Sequence, residues 1–223
     1  MLTAPPLVLY GSSGYGVAIA DVLESWLPEQ VARIVGYIDD VRGDGSHIGK
    51  VPVMSFATWV ATLREISVFV TLGKPSDKRM LVERVTAAGG RFASFYRIGG
   101  PISRDIVVGE GTMILAYASI GAGTVLGRHV HVMPLASIDA QCTIGDFSTL
   151  APMTAVFGRV FIEPGVFVGV GARIVNESND VMTIGAGATI AAGAVVLRSV
   201  EPGETLAGNP ATDLRSLAKR RSS

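Results

Sequence analysis

Residues 102–174 read ISRDIVVGEGTMILAYASIGAGTVLGRHVHVMPLASIDAQCTIGDFSTLAPMTAVFGRVFIEPGVFVGVGARI, and one spacing runs through all of it. Stepping by six from Ile102 gives Val108, Ile114, Ile120, Leu126, Val132, Ile138, Ile144, Leu150, Val156, Ile162, Val168 and Ile174, every one aliphatic. The place four residues on is usually small, as at Thr112, Ala118, Thr124, Ala136, Cys142, Ser148, Thr154 and Ala172. Gly often follows the aliphatic residue, as at Gly109, Gly121, Gly127, Gly145 and Gly169. An α-helix cannot keep one face at period six, and a half-buried strand alternates at period two. Six residues per flat side and three sides per turn make a left-handed parallel β-helix of hexapeptide repeats. Its aliphatic residue points inward and its small one fits near a corner. The register breaks once, because the next aliphatic steps after Ile174 are Ile184, Ile190 and Val196. The polar run Asn176-Glu177-Ser178-Asn179-Asp180 therefore predicts a loop leaving one corner, with about four extra residues.

The residues before this stretch follow another rule. Leu7 to Tyr10 reads as a buried strand, followed by the turn Gly11-Ser12-Ser13-Gly14-Tyr15-Gly16. A helix is predicted from about Val17 to Leu27, with Ala18, Val22 and Leu23 on one face. Val35 to Ile38 is a second strand, closed by Asp39 and Asp40, and Ser67 to Leu72 is a third. Gly73-Lys74-Pro75 turns the chain, with Ser76 as N-cap of a helix starting at Asp77. Strand, helix, strand in this order predicts a small α/β, Rossmann-like N-terminal domain with a parallel sheet. The expected division is 1–98 for that domain, 99–212 for the β-helix, and a short C-terminal helix within 213–223.

The 223 residues carry nineteen basic and nineteen acidic side chains, so no field gathers nucleic acid or anionic membrane. Charged residues are only 17% and Gly reaches 27, which suits a chain that buries much surface, as in an oligomer. Cys142 is the single cysteine, which excludes an internal disulfide and a Cys-rich metal site. Residues 1–6 lack the regions of a signal peptide, and no run of about 18 apolar residues occurs, so a cytoplasmic soluble protein is expected.

Together the motifs resemble the bacterial sugar O- and N-acyltransferases typified by the sialic acid O-acetyltransferases and the UDP-bacillosamine N-acetyltransferases. Leu7 to Gly16 looks like that family's opening strand and glycine loop, Gly36-Tyr37-Ile38-Asp39-Asp40 like its second strand, and Gly208-Asn209-Pro210-Ala211 like its terminal motif. The resemblance implies a homotrimer with acetyl-CoA or another acyl-CoA lying along the β-helix. It puts Thr149, Gly158, Gly169, Ala192 and Pro210 on that groove. It also implies a nucleotide-linked sugar in the N-terminal domain, held by Gly11, Ser12, Ser13, Gly14 and Tyr15, by Asp39 and Asp40, and by Lys74. Amides of a loop that opens a helix attract phosphate. The glycines do not give the dinucleotide spacing. A ligand-free turn, solvated carboxylates and a solvated lysine stay open for these same residues.

The catalytic pattern departs from the family. Its histidine and following carboxylate, just before a Cys-x-Ile-Gly run, fall on Ala140 and Gln141. A second family histidine falls on Thr149, an acceptor-contacting asparagine on Met133, and the loop histidine on Tyr15. Acyl transfer needs a base for the acceptor's proton and donors for the oxyanion. Three readings are open. His131 could serve, since it lies eighteen residues before Thr149 and so in the same column one coil earlier. The acceptor amine could act as its own free base, held by Asp139 or Gln141. Or the chain could be a non-catalytic nucleotide-sugar or CoA-binding homologue. His47 and His129 are weaker candidates, Cys142 reads as packing, and no metal is expected.

Overall fold

The first strand is apolar from Leu7 to Leu9 and buried on both faces, as a central strand of a parallel sheet requires. The computed structural model describes residues 5–26, 32–96 and 99–213. The chain separates into two compact units, Met1–Ser94 and Phe95–Ser223.

In the first unit β1 (Pro6–Tyr10) lies between β2 (Arg33–Ile38) and β5 (Val68–Val70), parallel to both. The sheet order is β3-β4-β2-β1-β5, where β3 (His47–Ile48) runs antiparallel to β4 (Val51–Met54). This hairpin and the following helix α2 (Phe56–Thr62) are absent from the expected elements. The helix is nonetheless capped in a readable way, the Ser55 hydroxyl accepting the Thr58 amide at 3.2 Å.

Helix α1 (Gly14–Trp26) starts three residues before the expected Val17, and Leu27 lies outside the described residues. Its buried face is Gly16, Ile19, Ala20 and Leu23, whereas Ala18, expected on that face, is exposed. Helix α3 (Pro75–Ala87) starts at Pro75, so the expected cap Ser76 is already inside it. Lys74 occupies the N-cap without a side-chain bond, and proline is tolerated next because no partner is needed for its missing N–H.

The second unit is the left-handed β-helix. Its first side stacks Met113–Ile114, His131–Val132, Thr149–Leu150, Phe167–Val168, Thr189–Ile190 and Thr205–Ala207. Its second side stacks Ser119–Ile120, Ser137–Ile138, Ala155–Phe157, Arg173–Val175 and Val195–Val196, and its third runs from Ile106–Val108 to Met182–Ile184. Each strand pairs with the residue one coil on, as His131 with Thr149 and Thr143 with Phe161. The inward ladder, including Val132, Ile138, Ile144, Leu150, Val156 and Ile162, is buried throughout. At the small-residue places, Thr112, Thr124 and Ser148 donate their hydroxyls to carbonyls of Gly127, Asp139 and Glu163 and stitch adjacent sides together.

The extra residues sit where expected, since Arg173 pairs with Val195 rather than with a residue eighteen on. Asn176 organises this loop, its amide donating to the carbonyls of Arg159 and Asp180 at 3.0 and 2.7 Å. Gly208 to Ala211 turns the chain into Thr212–Asp213, which pairs antiparallel with Thr205–Ala207. Asp213 is thus strand, not the start of a helix. The rest of the expected C-terminal helix lies outside the described residues.

Candidate functional site

In the first unit the residues singled out in the sequence gather at the carboxyl ends of adjacent strands. The glycine loop follows β1, Asp39 and Asp40 follow β2, and Lys74 closely follows β5. This edge of an open α/β sheet is where ligands bind. Two glycines have steric reasons. Gly11 sits at φ 114°, and a Cβ on Gly16 would lie 2.1 Å from the Gly11 carbonyl oxygen. Buried Thr71 ties the loop down, its hydroxyl shared between the carbonyls of Tyr10 and Gly11 at 2.9 and 2.8 Å.

The two aspartates have different surroundings. Asp39 accepts the amides of Val41 and Arg42 at 2.9 and 3.1 Å on Oδ1, and the hydroxyl of buried Ser12 on Oδ2. Burial pushes its carboxyl up, but the Ser12 hydroxyl and the backbone amides of Arg42, Val41 and Ser12 outweigh that and hold it below the usual carboxylate value. Asp40 accepts the Phe56 amide at 2.8 Å and pairs with Arg84. Burial again opposes ionisation, and the Phe56 amide and Arg84 lower the carboxyl overall.

Arg84 also donates to the Tyr10 hydroxyl at 2.7 Å and lies 4.0 Å over the Phe56 ring, which stacks on Tyr10 at 5.8 Å. The sequence alone offers no signal for this cluster, because Asp40 and Arg84 are joined only by the fold. Lys74 is exposed and pairs with Asp77 at 3.3 Å, while burial raises the Tyr15 phenol well above its ordinary value.

In the β-helix, His131 is 1% exposed on the first side, in register with Met113 and Thr149. Asp139, Ala140 and Gln141 instead form the exposed corner where the second side turns into the third. A corner between two sides of a three-sided prism lies opposite the remaining side. His131 and the corner Asp139-Ala140-Gln141, which belong to alternative readings of the chemistry, therefore lie on different faces of one chain. Asp139 accepts its neighbour Ala140's amide at 2.8 Å and the Gly158 amide, one coil on, at 3.3 Å. Gln141 adopts φ 59° at the turn.

The residues assigned to the acyl-CoA groove border the second side. A Cβ on Gly169 would lie 2.6 Å from the Ala192 amide nitrogen, so these two stack at one of its corners. Gly158 stacks under Asn176 at the other, where a Cβ would lie 2.4 Å from the Asn176 carbonyl oxygen. Thr149 is buried on the first side, and Pro210 lies in the terminal turn. A cavity of about 500 Å³ opens beside the loop, between Asn176, Asp180, Val181, Met182 and Leu197.

Arg159 donates to the Asn179 carbonyl, and so is spent on this loop. Cys142 is interior; burial raises its thiol and its Sγ contacts the Gly158 carbonyl at 3.1 Å, which fits packing rather than nucleophilic attack. Among the described residues no cluster of His, Cys, Asp and Glu could hold a metal, and no helix is long and apolar enough to cross a membrane.

A glycine-loop α/β unit followed by a hexapeptide β-helix is the architecture this chain shares with solved sugar acetyltransferases. The PglD N-terminal domain family matches residues 6–85. A GDP-perosamine N-acetyltransferase of Escherichia coli O157:H7 is 26% identical over 211 residues, spanning 93% of this chain and 95% of that one. The acetyltransferase domain of PglB from Neisseria gonorrhoeae FA1090, in complex with acetyl coenzyme A, superposes with a TM-score of 0.82 and 28% identity over 95% and 100% of the chains. PerB from Caulobacter crescentus, in complex with CoA and GDP-perosamine, gives 0.80 and 25% over 93% and 96%. A histidine-to-alanine mutant of the GDP-perosamine N-acetyltransferase of that organism, with the same two ligands, gives 0.77 and 28% over 93% and 96%. Both units of the chain are thus similar to sugar acyltransferases of the hexapeptide-repeat type.

Proposed function

We propose that the chain is a cytoplasmic, homotrimeric N-acyltransferase that moves an acyl group from acyl-CoA to the amine of a nucleotide-linked amino sugar. What supports this above all is that the likeness to GDP-perosamine N-acetyltransferase runs through both units and not the β-helix alone. The first unit holds the nucleotide sugar on Gly11 to Tyr15, Asp39 and Asp40, with Lys74 at the rim. Acyl-CoA lies along the second side of the β-helix, past Gly158, Gly169, Ala192 and Pro210. The amine is placed at the exposed corner Asp139-Ala140-Gln141, where an adjacent chain supplies its first side at half-buried Met133.

The active site is atypical, because Ala140 carries no base. A neutral amine needs none to attack. Its lone pair bonds to the thioester carbonyl carbon, the tetrahedral adduct expels the CoA thiolate, and the ammonium proton ends on that sulfur. Positioning then supplies the rate, an effect worth about 7–11 kcal/mol when the geometry is well aligned. Asp139 and Gln141 offer oxygens that hold the amine as it gains positive charge. A crystal structure of a relative's histidine-to-alanine mutant with both ligands supports binding without an imidazole. Ala140 and Gln141 also favour a second reading, a binding protein that keeps the fold without the chemistry.

Thiol release from acetyl-CoA in the presence of GDP-perosamine separates the two. Release that depends on the amino sugar is expected, with the N-acetylated sugar found by mass spectrometry. A melting temperature raised by both ligands without thiol release would leave the binding protein. Binding of neither would end both readings.

A further inference from the structure

The corner between the first and second sides makes the same turn in successive coils, at Gly99, Tyr117, Leu135, Met153, Gly171 and Gly193, with φ from 59° to 69°. Glycine adopts this left-handed turn freely, whereas a bulky side chain is strained in it. The three middle coils nonetheless carry Tyr117, Leu135 and Met153, each 55–56% exposed. Backbone strain and apolar surface in water both cost stability, so the fold of one chain does not account for this ridge.

The ridge is confined to one level of the β-helix. Leu135 lies in the coil that holds Ala140, with Tyr117 and Met153 one coil to either side. Two prisms packed side by side would meet along the whole corner, yet it returns to glycine beyond both ends. The three corners, Ala116 to Ala118, Met133 to Ala136 and Ala151 to Thr154, hold no charged residue. They suit neither the phosphates of CoA nor an amine gaining charge. At the other corner of the second side Ala140 offers only a methyl group, and Phe157, one coil on from Asp139, is 45% exposed.

We propose that the ridge of one copy, centred on Leu135, and the corner of the next, at Ala140 and Phe157, enclose an acyl chain longer than acetyl. The donor is then an acyl-CoA with a short aliphatic chain. The proposal rests on the reading of the β-helix as a transferase site shared between copies, and adds which acyl group that site takes.

Calorimetric titration of the full chain with acetyl-, propionyl-, butyryl- and hexanoyl-CoA tests it. Affinity is expected to rise about fourfold with each added methylene, so butyryl-CoA should bind about fifteenfold more tightly than acetyl-CoA. Leu135→Gly gives this corner the residue its outer coils already carry, and should bring butyryl-CoA down toward acetyl-CoA. Equal or falling affinity along the series in the unaltered protein would overturn the proposal and leave the ridge as a contact between copies. So would a Leu135→Gly protein of unchanged melting temperature and assembly size that keeps the full preference. Should that variant not assemble, the series on the unaltered protein decides alone. If no acyl-CoA binds at any chain length, the transferase reading falls as well, an outcome distinct from binding without preference.

Discussion

Ala140 is the residue on which the chemistry turns. It lies exposed at the corner between the second and third sides, beside Asp139, whose carboxylate already accepts two backbone amides. If the amine reacts as its own free base, the rate of the unaltered protein follows deprotonation of the substrate and carries no imidazole limb. Ala140→His should then raise kcat/KM about tenfold, with a new dependence on a group near pH 6.5. Adding Gln141→Glu should take the gain toward about a hundredfold, because a carboxylate orients and charge-stabilises the imidazolium. No gain in either variant, measured as pH profiles of thiol release, would mean that another group already acts as base.

At the scale of elements, the glycine loop and the β-helix differ in how they tolerate change. A Cβ on Gly16 meets the Gly11 carbonyl oxygen at 2.1 Å and the Thr71 hydroxyl at 2.9 Å, while one on Gly14 meets nothing within 4 Å. Gly16→Ala should therefore cost about 1–3 kcal/mol of stability and abolish nucleotide affinity, because the backbone has nowhere to move. Gly14→Ala should be neutral or slightly stabilising, since Ala is the better helix former. Thermal melting and titration of the two variants check the contrast.

The same contrast explains what the sequence discloses. The six-residue ladder is legible because every aliphatic place repeats one environment, coil after coil. The strands His47–Ile48 and Val51–Met54 and the seven-residue helix after them are too short to show any period. The pairing of Asp40 with Arg84 joins positions 44 apart and leaves no local trace. Gly11 to Tyr15, Asp39, Asp40 and Lys74 are legible as a group because each lies just past a parallel strand of one sheet, Lys74 four residues after β5. At the catalytic corner, counting coils along the axis put His131 under Thr149, and the register agrees. Around the axis, positions 131 and 140 are half a coil apart, and so opposite.

That opposition sets the requirement on the whole molecule. A site that uses the first side at half-buried Met133 together with the corner at Ala140 needs two chains, each giving a different surface. Such head-to-tail contacts close into a ring when the rotation permits, and a trimer is the smallest ring beyond a dimer. Blocking each surface separately then has a distinctive consequence. Ala140→Trp fills the exposed corner and Met133→Trp crowds the end of a first-side strand, where Met133 is half-buried. Each variant alone should lose activity while keeping its melting temperature and its assembly size by light scattering. In random mixed assemblies made by co-expression, a site is intact only when an unblocked corner from one variant meets an unblocked side from the other. About one quarter of the sites meet that condition, so mixed assemblies should regain about a quarter of the original rate. A site built within one chain would regain nothing on mixing, and that result would remove the shared site from the mechanism.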